Sequence, residues 1–141
     1  MNIDNYITER VESQQKWFSD KSSLNKLHSN LIIGATVVLS ILVPYVVSLN
    51  GAIVQILSVL CAILVFFGTS FKFNDKWKIY RLASELLKRE KILFQTKAGI
   101  HHENDDTESI FVESVEQIIY NCNDNWKRVI ASQDNISRNE E

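Results

Sequence analysis

Charged residues are missing from a long central stretch of the sequence. Between Lys26 and Lys72 there is no Lys, Arg, Asp or Glu, and the whole chain has one proline and four glycines. A soluble chain of 141 residues rarely runs that far without a charge. Two apolar segments fill the stretch, residues 31–49 and 52–71. At about 1.5 Å per residue each spans roughly 30 Å, the hydrocarbon thickness of a bilayer, so the sequence predicts two transmembrane helices.

Three other classes of structure fit these segments less well. A signal peptide would place its apolar run near the N-terminus, whereas polar residues 1–30 come first. A buried hairpin of a soluble protein needs enough chain to cover helices that are apolar on all sides, and the rest of the chain is too short. A β-hairpin would suit the Asn50–Gly51 dipeptide, but neither flank alternates in polarity and Pro44 would interrupt a paired strand.

The turn and the flanking charges predict the topology. Asn50 and Gly51 leave room for only a tight turn, so the two spans are antiparallel. Basic residues flank the outer ends of the spans and are absent from the turn: Lys16, Lys21, Lys26, Lys72, Lys76, Lys78 and Arg81. By the positive-inside rule we expect a multi-pass protein of the cell (inner) membrane with both termini cytoplasmic. Cys61 then lies in the membrane and Cys122 in the cytoplasm, so no disulfide is expected.

The polar arms predict long helices continuous with the spans. Neither the first arm, 1–30, nor the segment 72–97 contains Gly or Pro, so we expect nearly continuous helices over 3–49, kinked at Pro44, and over 52–97. Gly99 should end the second arm at 98, and a C-terminal helix over 107–131 should precede a frayed tail, 132–141. That helix carries an apolar seam at spacings of three and four: Phe111, Val115, Ile118, Cys122, Trp126 and Val129. The predicted fold is an all-α membrane protein, one domain with a four-helix cytoplasmic region.

Charge is shared unevenly between the cytoplasmic segments. Residues 72–97 hold eight basic and three acidic residues, whereas residues 98–141 hold three basic and ten acidic. The acidic helix could lie on the basic one. The basic residues could also meet anionic lipid headgroups, at about 1 kcal/mol each. We expect both, with Lys72, Lys76 and Lys78 contacting the lipid headgroups.

Residues able to perform chemistry are sparse. One cluster has metal-ligand residue types, His101, His102, Glu103, Asp105 and Asp106, and it is typical of a solvated polar linker. The sequence has no phosphate-binding loop, nucleophile elbow, CxxC or HExxH. No charged residue lies in either span, which argues against a proton-coupled transporter or a voltage sensor. We therefore expect no enzyme activity, no metal and no cofactor.

Small and polar side chains form a line along the second span. Its members recur at spacings of three and four: Gln55, Ser58, Ala62, Val65 and Thr69. Thr36 and Ser40 share a face of the first span. Such lines pack helices together, because small residues let backbones approach and hydroxyls bond across helices. They also line pores in oligomers. The sequence leaves both interpretations open.

The arms and their aromatic residues resemble a known group of proteins. The matching positions are Arg10, Gln14, Trp17, Phe18 and Lys21 before the first span, then Trp77, Tyr80, Arg81, Glu85, Leu87, Lys88, Glu90, Phe94 and Gly99, and finally Phe111, Glu113, Val115, Glu116 and Trp126. The chain resembles the bacterial SLATT families, two-transmembrane effectors of nucleotide-signalling conflict systems, and especially their branch catalogued as a domain of unknown function. The W-x-x-Y-R-x-x-x-E run from Trp77 to Glu85 is the most specific part of the likeness.

The resemblance implies an oligomeric effector that breaches the membrane during stress or infection. The motif residues are then expected to mediate assembly of the subunits: Trp17, Trp77, Tyr80, Arg81, Glu85 and Trp126. Multidomain members carry a sensor, so we expect a separate sensor protein or nucleotide signal here. The leading hypothesis is a homo-oligomeric pore in contact with membrane lipid, without a nucleic-acid partner. The alternative is a membrane-anchored scaffold whose cytoplasmic helices bind a partner protein.

Overall fold

Helices account for all regular structure in the part of the chain that the structure describes. The computed structural model describes residues 2–47, 51–102 and 106–138. Helix α1 covers Ile3–Val46, α2 covers Gly51–Ser70, α3 covers Phe73–Gln95 and α4 covers Thr107–Arg138. A single 3₁₀ turn, Gly99–His101, precedes α4. The prediction of an all-helical chain is confirmed, and α4 begins within the range expected for the C-terminal helix.

The chain forms two compact units. Met1–Ser22 and Lys76–Glu141 make up the first, called the bundle here, and Ser23–Asp75 makes up the second, the hairpin. Helix α1 and the helical stretch Gly51–His101 are long and apolar enough to cross a membrane, and their apolar windows are 6% and 0% buried. Two helices of the described chain therefore meet the length and composition of membrane spans.

The bundle has an apolar core in which four side chains are fully buried. These are Val11 of α1, Leu87 of α3, and Phe111 and Val115 of α4. Phe94 stacks on Phe111 with ring centroids 4.3 Å apart. Burying each such side chain stabilises the fold by about 1.5–3 kcal/mol.

The seam predicted on α4 is largely present. Phe111, Val115 and Cys122 are buried. Ile118 is half-buried, whereas its neighbour Ile119 is buried. Ile118 packs against the core, so the predicted seam residue is in place, and Ile119 makes the buried face wider than predicted because α4 faces more than one neighbour.

Helical continuity from the second span into the second arm was predicted, and this prediction is wrong at Phe71–Lys72. Helix α2 ends at Ser70, Lys72 adopts a left-handed φ of 44°, and α3 begins at Phe73. In an unbroken helix, the side chains of residues two apart point about 160° away from each other. The break brings the Phe71 and Phe73 rings into a stack at 5.6 Å, and Phe67 stacks on Phe71 at 5.7 Å. Aromatic contacts thus accompany a helix break at which the sequence has neither Gly nor Pro.

The second arm also ends earlier than predicted. Helix α3 stops at Gln95, and the left-handed position belongs to Lys97, φ 50°, while Gly99 opens the 3₁₀ turn. The Ala98 N–H donates to the Leu93 carbonyl at 2.9 Å and the Lys97 N–H to the Phe94 carbonyl at 3.2 Å. These two bonds form a Schellman cap with lysine at the position that glycine usually occupies.

Two further boundaries differ from the prediction or lie beyond the described residues. Helix α4 continues past 131 to Arg138, and residues 132–138 contain no Gly or Pro that would end it. Residues 139–141 of the predicted tail lie outside the described residues. So does Asn50 of the predicted turn, whereas Gly51 is the first residue of α2.

Candidate functional site

The polar line of the second span lies on an exposed face of α2. All five members are exposed, from Gln55 to Thr69: Gln55, Ser58, Ala62, Val65 and Thr69. The residue directly before each member is half-buried, and these residues form a second line with the same spacing: Val54, Leu57, Cys61, Leu64 and Gly68. One residue turns an α-helix by about 100°. The line therefore borders the contact seam of the hairpin and takes no part in it.

The contact seam itself joins α2 to α1 through small and sulfur-bearing side chains. Cys61 Sγ lies 3.4 Å from Ser40 Oγ and 3.8 Å from the Thr36 carbonyl oxygen. A Cβ placed on Gly68 would lie 3.1 Å from Cγ2 of Ile32, so the helices approach closely there. Thr36 and Ser40 thus serve helix packing, which was one of the two interpretations left open for polar residues of the spans.

Hydroxyl groups of the exposed line are satisfied within α2. Ser58 Oγ donates to the Val54 carbonyl at 2.9 Å, and Thr69 Oγ1 donates to the Val65 carbonyl at 3.0 Å. Gln55 has a longer, four-site carboxamide on the same exposed face. In hydrocarbon such a group would cost about one to a few kcal/mol unless a partner or water met it.

In the bundle, three of the motif aromatics meet around Tyr80. Its ring lies 5.6 Å from Trp17, 6.1 Å from Phe18 and 6.4 Å from Trp126. Trp126 is half-buried, whereas Trp17 is 46% exposed. Its ring lies at the edge of the cluster, because Phe18 takes the buried position next to it.

Two lysines lie over rings of this cluster. Lys76 Nζ lies 4.8 Å from the centroid of the Trp126 ring, and Lys21 Nζ lies 5.8 Å from that of Trp17. Burial lowers the pKa of Lys76. A cation over an indole face is favoured by about 0.5–2 kcal/mol. Lys76 therefore contacts Trp126 in the bundle. Of the other two lysines expected at the lipid, Lys78 is exposed and Lys72 occupies the break after α2.

The remaining motif residues contribute locally. Arg81 pairs with Glu85 at 2.6 Å, as their spacing of four predicts, and both side chains are exposed. Such a pair contributes about 0.3–0.5 kcal/mol. The Trp77 carbonyl accepts a hydrogen bond from Ser22 Oγ at 3.0 Å.

An ion-pair cluster holds the start of α1 against the other helices of the bundle. Arg10 makes a bidentate contact with Glu116, both N···O distances being 3.0 Å, and Tyr6 Oη donates to Glu116 Oε1 at 3.0 Å. Hydrogen bonds from Arg10 lower the pKa of Glu116, whereas burial first and then Glu116 raise the pKa of Tyr6 to about 12. Lys91 donates to Glu12 at 2.6 Å. We call Tyr6, Arg10 and Glu116 the clasp.

Arg10 of the clasp lies in a π-helical stretch of α1, Ile7–Glu12, and Tyr6 directly precedes that stretch. A π-turn carries one residue more per turn than an α-helix, and such turns often mark functional segments. Here the wider turn lets the neighbouring residues Tyr6 and Ile7 both be buried. Arg10 and Glu116 are both motif positions in the sequence, but their contact and the part of Tyr6 were not predicted. The spacing of four between Tyr6 and Arg10 was the available signal.

His101 is buried, although it was expected in a solvated linker. It is 2% exposed, its Nε2 lies 2.8 Å from Glu90 Oε1, and its ring meets Phe94 edge-on at 5.6 Å. The cap at the end of α3 turns the chain inward at this point. Glu103 and Asp105 of the predicted cluster lie outside the described residues. Within the described ranges, no three His, Cys, Asp or Glu side chains are grouped so as to hold a metal ion.

Comparison with known families decides the classification of the chain. A family model described as a protein of unknown function, DUF4231, matches residues 13–109, which is more than half of the sequence. The chain belongs to the DUF4231 family. This confirms the part of the resemblance that pointed to a family catalogued as a domain of unknown function. No curated protein and no solved structure matches the chain.

The DUF4231 match covers some of the candidate residues and not others. It includes both apolar helices of the hairpin and the Trp17, Trp77 and Tyr80 positions. The clasp residues Arg10 and Glu116 lie outside it.

Proposed function

We propose that this DUF4231 protein is a homo-oligomeric membrane pore, an effector of the SLATT type in a bacterial stress or antiviral defence system. Its hairpin spans the inner membrane with both termini in the cytoplasm. The polar line of α2 faces the axis of the oligomer, and a separate sensor protein or nucleotide signal triggers opening.

The observation that carries the proposal is the exposure of the whole polar line beside a separate contact seam. Because α1 and α2 pack through Cys61 and Gly68, the five residues of the polar line lie outside the packing contact of one hairpin. A single hairpin in lipid would leave the Gln55 carboxamide in hydrocarbon. Closing a ring of identical chains removes that cost, and symmetric closure is the usual arrangement of identical subunits.

The decisive measurement is the conductance of the purified full-length protein in planar lipid bilayers. Ser58→Trp places a bulky ring on the polar line and should reduce single-channel conductance strongly while the oligomer persists in native mass spectrometry. Leu60→Trp is the matched control, because Leu60 is exposed, lies two residues away, and points about 160° away from Ser58.

The outcomes separate the pore from other functions. Only monomers in mild detergent, or equal effects of the two tryptophans, would contradict the pore. An oligomer that conducts under no condition would favour the membrane-anchored scaffold instead.

One observation favours that alternative. A cleft of about 350 Å³ lies between α1 and α4 in the bundle, with Phe18 and Ile119 among its lining. The half-exposed Trp17 ring and the polar side chains of Arg10, Ser13, Gln14 and Asn123 line the rest of the cleft. Exposed aromatic residues ringed by polar groups are typical of protein contact sites. Pull-down with Trp17→Ala as the negative variant would test this function.

A further inference from the structure

Helix α3 presents a stripe to solvent on the side opposite its core residue Leu87. Its members recur at spacings of four and three: Lys78, Leu82, Glu85, Arg89 and Ile92. Leu82 is 57% exposed and Ile92 is 49% exposed. Lys78 and Arg89 form no hydrogen bond or ion pair with any described residue. We call this the basic stripe.

Helix α4 presents a second stripe, again opposite its core. Its members recur at spacings of four, three and four: Glu113, Gln117, Tyr120 and Asp124. Tyr120 is 64% exposed. Glu113 has no described partner, and Asp124 pairs with the exposed Arg128 one turn along its own helix at 2.9 Å. We call this the acidic stripe.

From the sequence, the acidic helix was expected to lie on the basic one, so that their charges neutralise each other within one chain. The charges on the two stripes do not do so. The cross-helix ion pairs Arg10–Glu116 and Glu12–Lys91 both use α1. Lys78, Arg89 and Glu113 point away from the bundle core and keep their charges exposed. The complementarity of α3 and α4 is therefore available to a second molecule.

Residues of the two stripes also lie at similar heights along the helix axes of the bundle, to within about one turn. Helices α3 and α4 run antiparallel, since Tyr80 lies near Trp126 at 6.4 Å and Phe94 near Phe111 at 4.3 Å. On that scale Arg89 lies within about one helical turn of Glu113. Lys78 lies within about one turn of Asp124, and Leu82 within about one turn of Tyr120. One turn is about 5.4 Å, which a lysine or arginine side chain can span.

We propose that the basic stripe of one copy packs against the acidic stripe of the next copy, head to tail. This inference rests on the proposed homo-oligomer and names its contact surface. Rotation about a ring axis parallel to the helices preserves height along the axis, so Arg89 and Lys78 lie within about one turn of Glu113 and Asp124, and Leu82 within about one turn of the Tyr120 ring. Glu85 faces the uncharged Gln117. Lys78 meets the Asp124–Arg128 ion pair, where it competes with Arg128 for the Asp124 carboxylate. A head-to-tail contact of this kind leaves no unused partner once the ring closes.

Cross-linking of two single-cysteine variants tests the direction of the contact. Leu82→Cys and Tyr120→Cys are made in the full chain with Cys61→Ala and Cys122→Ala. A short bis-maleimide should link the two variants when they are mixed and link neither variant alone. Cross-linking of either variant with itself at the same rate would indicate a two-fold contact and overturn the proposal. So would an oligomer that yields no cross-link in the mixture.

Charge exchange tests the same contact in the unlabelled protein. Arg89→Glu and Glu113→Arg should each weaken assembly in mild detergent about tenfold or more, and the double variant should regain it, because like charges at an interface are strongly unfavourable. Lys16→Glu reverses an exposed charge on α1 and should leave assembly unchanged. Failure of the double variant to recover, with circular dichroism showing intact helices, would refute the contact.

The two proposals fail in different ways. Cross-linked rings with no conductance in planar bilayers would support this contact and contradict the pore. Conductance that persists in Arg89→Glu and Glu113→Arg would support the pore and contradict this contact.

Discussion

Tyr6→Phe removes a single hydroxyl from the clasp, and its effect can be worked out from the structure. The phenol is buried beside Phe111, whose ring meets it edge-on at 6.3 Å, and it donates to Glu116 at 3.0 Å. Phenylalanine keeps the ring and its packing. It deletes only the hydrogen bond, so any change in stability reports on the clasp.

The magnitude and its pH dependence follow from the pKa of Tyr6. Burial and then Glu116 raise the pKa from 10.0 to about 12, so the folded chain favours the neutral phenol. A raised pKa contributes stability that is fully present below pH 10 and is lost as the pH rises toward 12. Two pKa units correspond to at most about 2.7 kcal/mol. Burial, the larger cause, penalises only the phenolate, so at pH 7 the phenol contributes only its hydrogen bond to Glu116, about 1 kcal/mol.

Equilibrium unfolding in mild detergent, followed by circular dichroism from pH 7 to 12, measures both effects. Tyr6→Phe should be about 1 kcal/mol less stable at pH 7 and should lack the part of the loss above pH 10 that Tyr6 causes. Tyr120→Phe is the matched control, because Tyr120 is exposed and donates to no described group. If Tyr6→Phe lost stability as steeply as the unaltered chain between pH 10 and 12, the reasoning about the clasp would be refuted.

Two further predictions concern the cap of α3 and the topology. Lys97→Gly should stabilise the chain by about 1 kcal/mol, because glycine adopts the left-handed φ of 50° without steric cost. Its control, Lys88→Gly in the middle of α3, should lower the stability by about 1 kcal/mol. Equal losses of stability in thermal unfolding would contradict the cap. A cysteine at Asn50 in a Cys61→Ala, Cys122→Ala chain should react with an impermeant maleimide on intact cells, whereas one at Glu141 should not; the reverse labelling would overturn the orientation and leave the hairpin in place.

Local sequence patterns predicted the elements of this fold correctly where one residue type decides the outcome. The lack of charge between Lys26 and Lys72 predicted two long apolar helices, and the lack of Gly and Pro in the first arm predicted a helix running on into the first apolar segment. The spacing of Gln55, Ser58 and Thr69 placed them on one helix face. These are properties of a helix by itself, set by its period and by the backbone needs of each residue.

Tertiary packing decided what the periodicity could not show. Which side of α2 meets α1 depends on the close approach at Gly68 and the Cys61–Ser40 contact, and this left the polar line exposed. The break at Lys72 comes with ring stacking between Phe71 and Phe73, a contact that the helical period does not predict.

Contacts between distant parts of the chain were likewise invisible to the sequence. Tyr6 and Arg10 meet a carboxylate more than a hundred residues away, and His101 is buried against Glu90 although the five residues that follow it are polar. Such contacts depend on how whole helices are placed. A pattern along one helix determines which residues share a face, and only the packed bundle determines what that face meets.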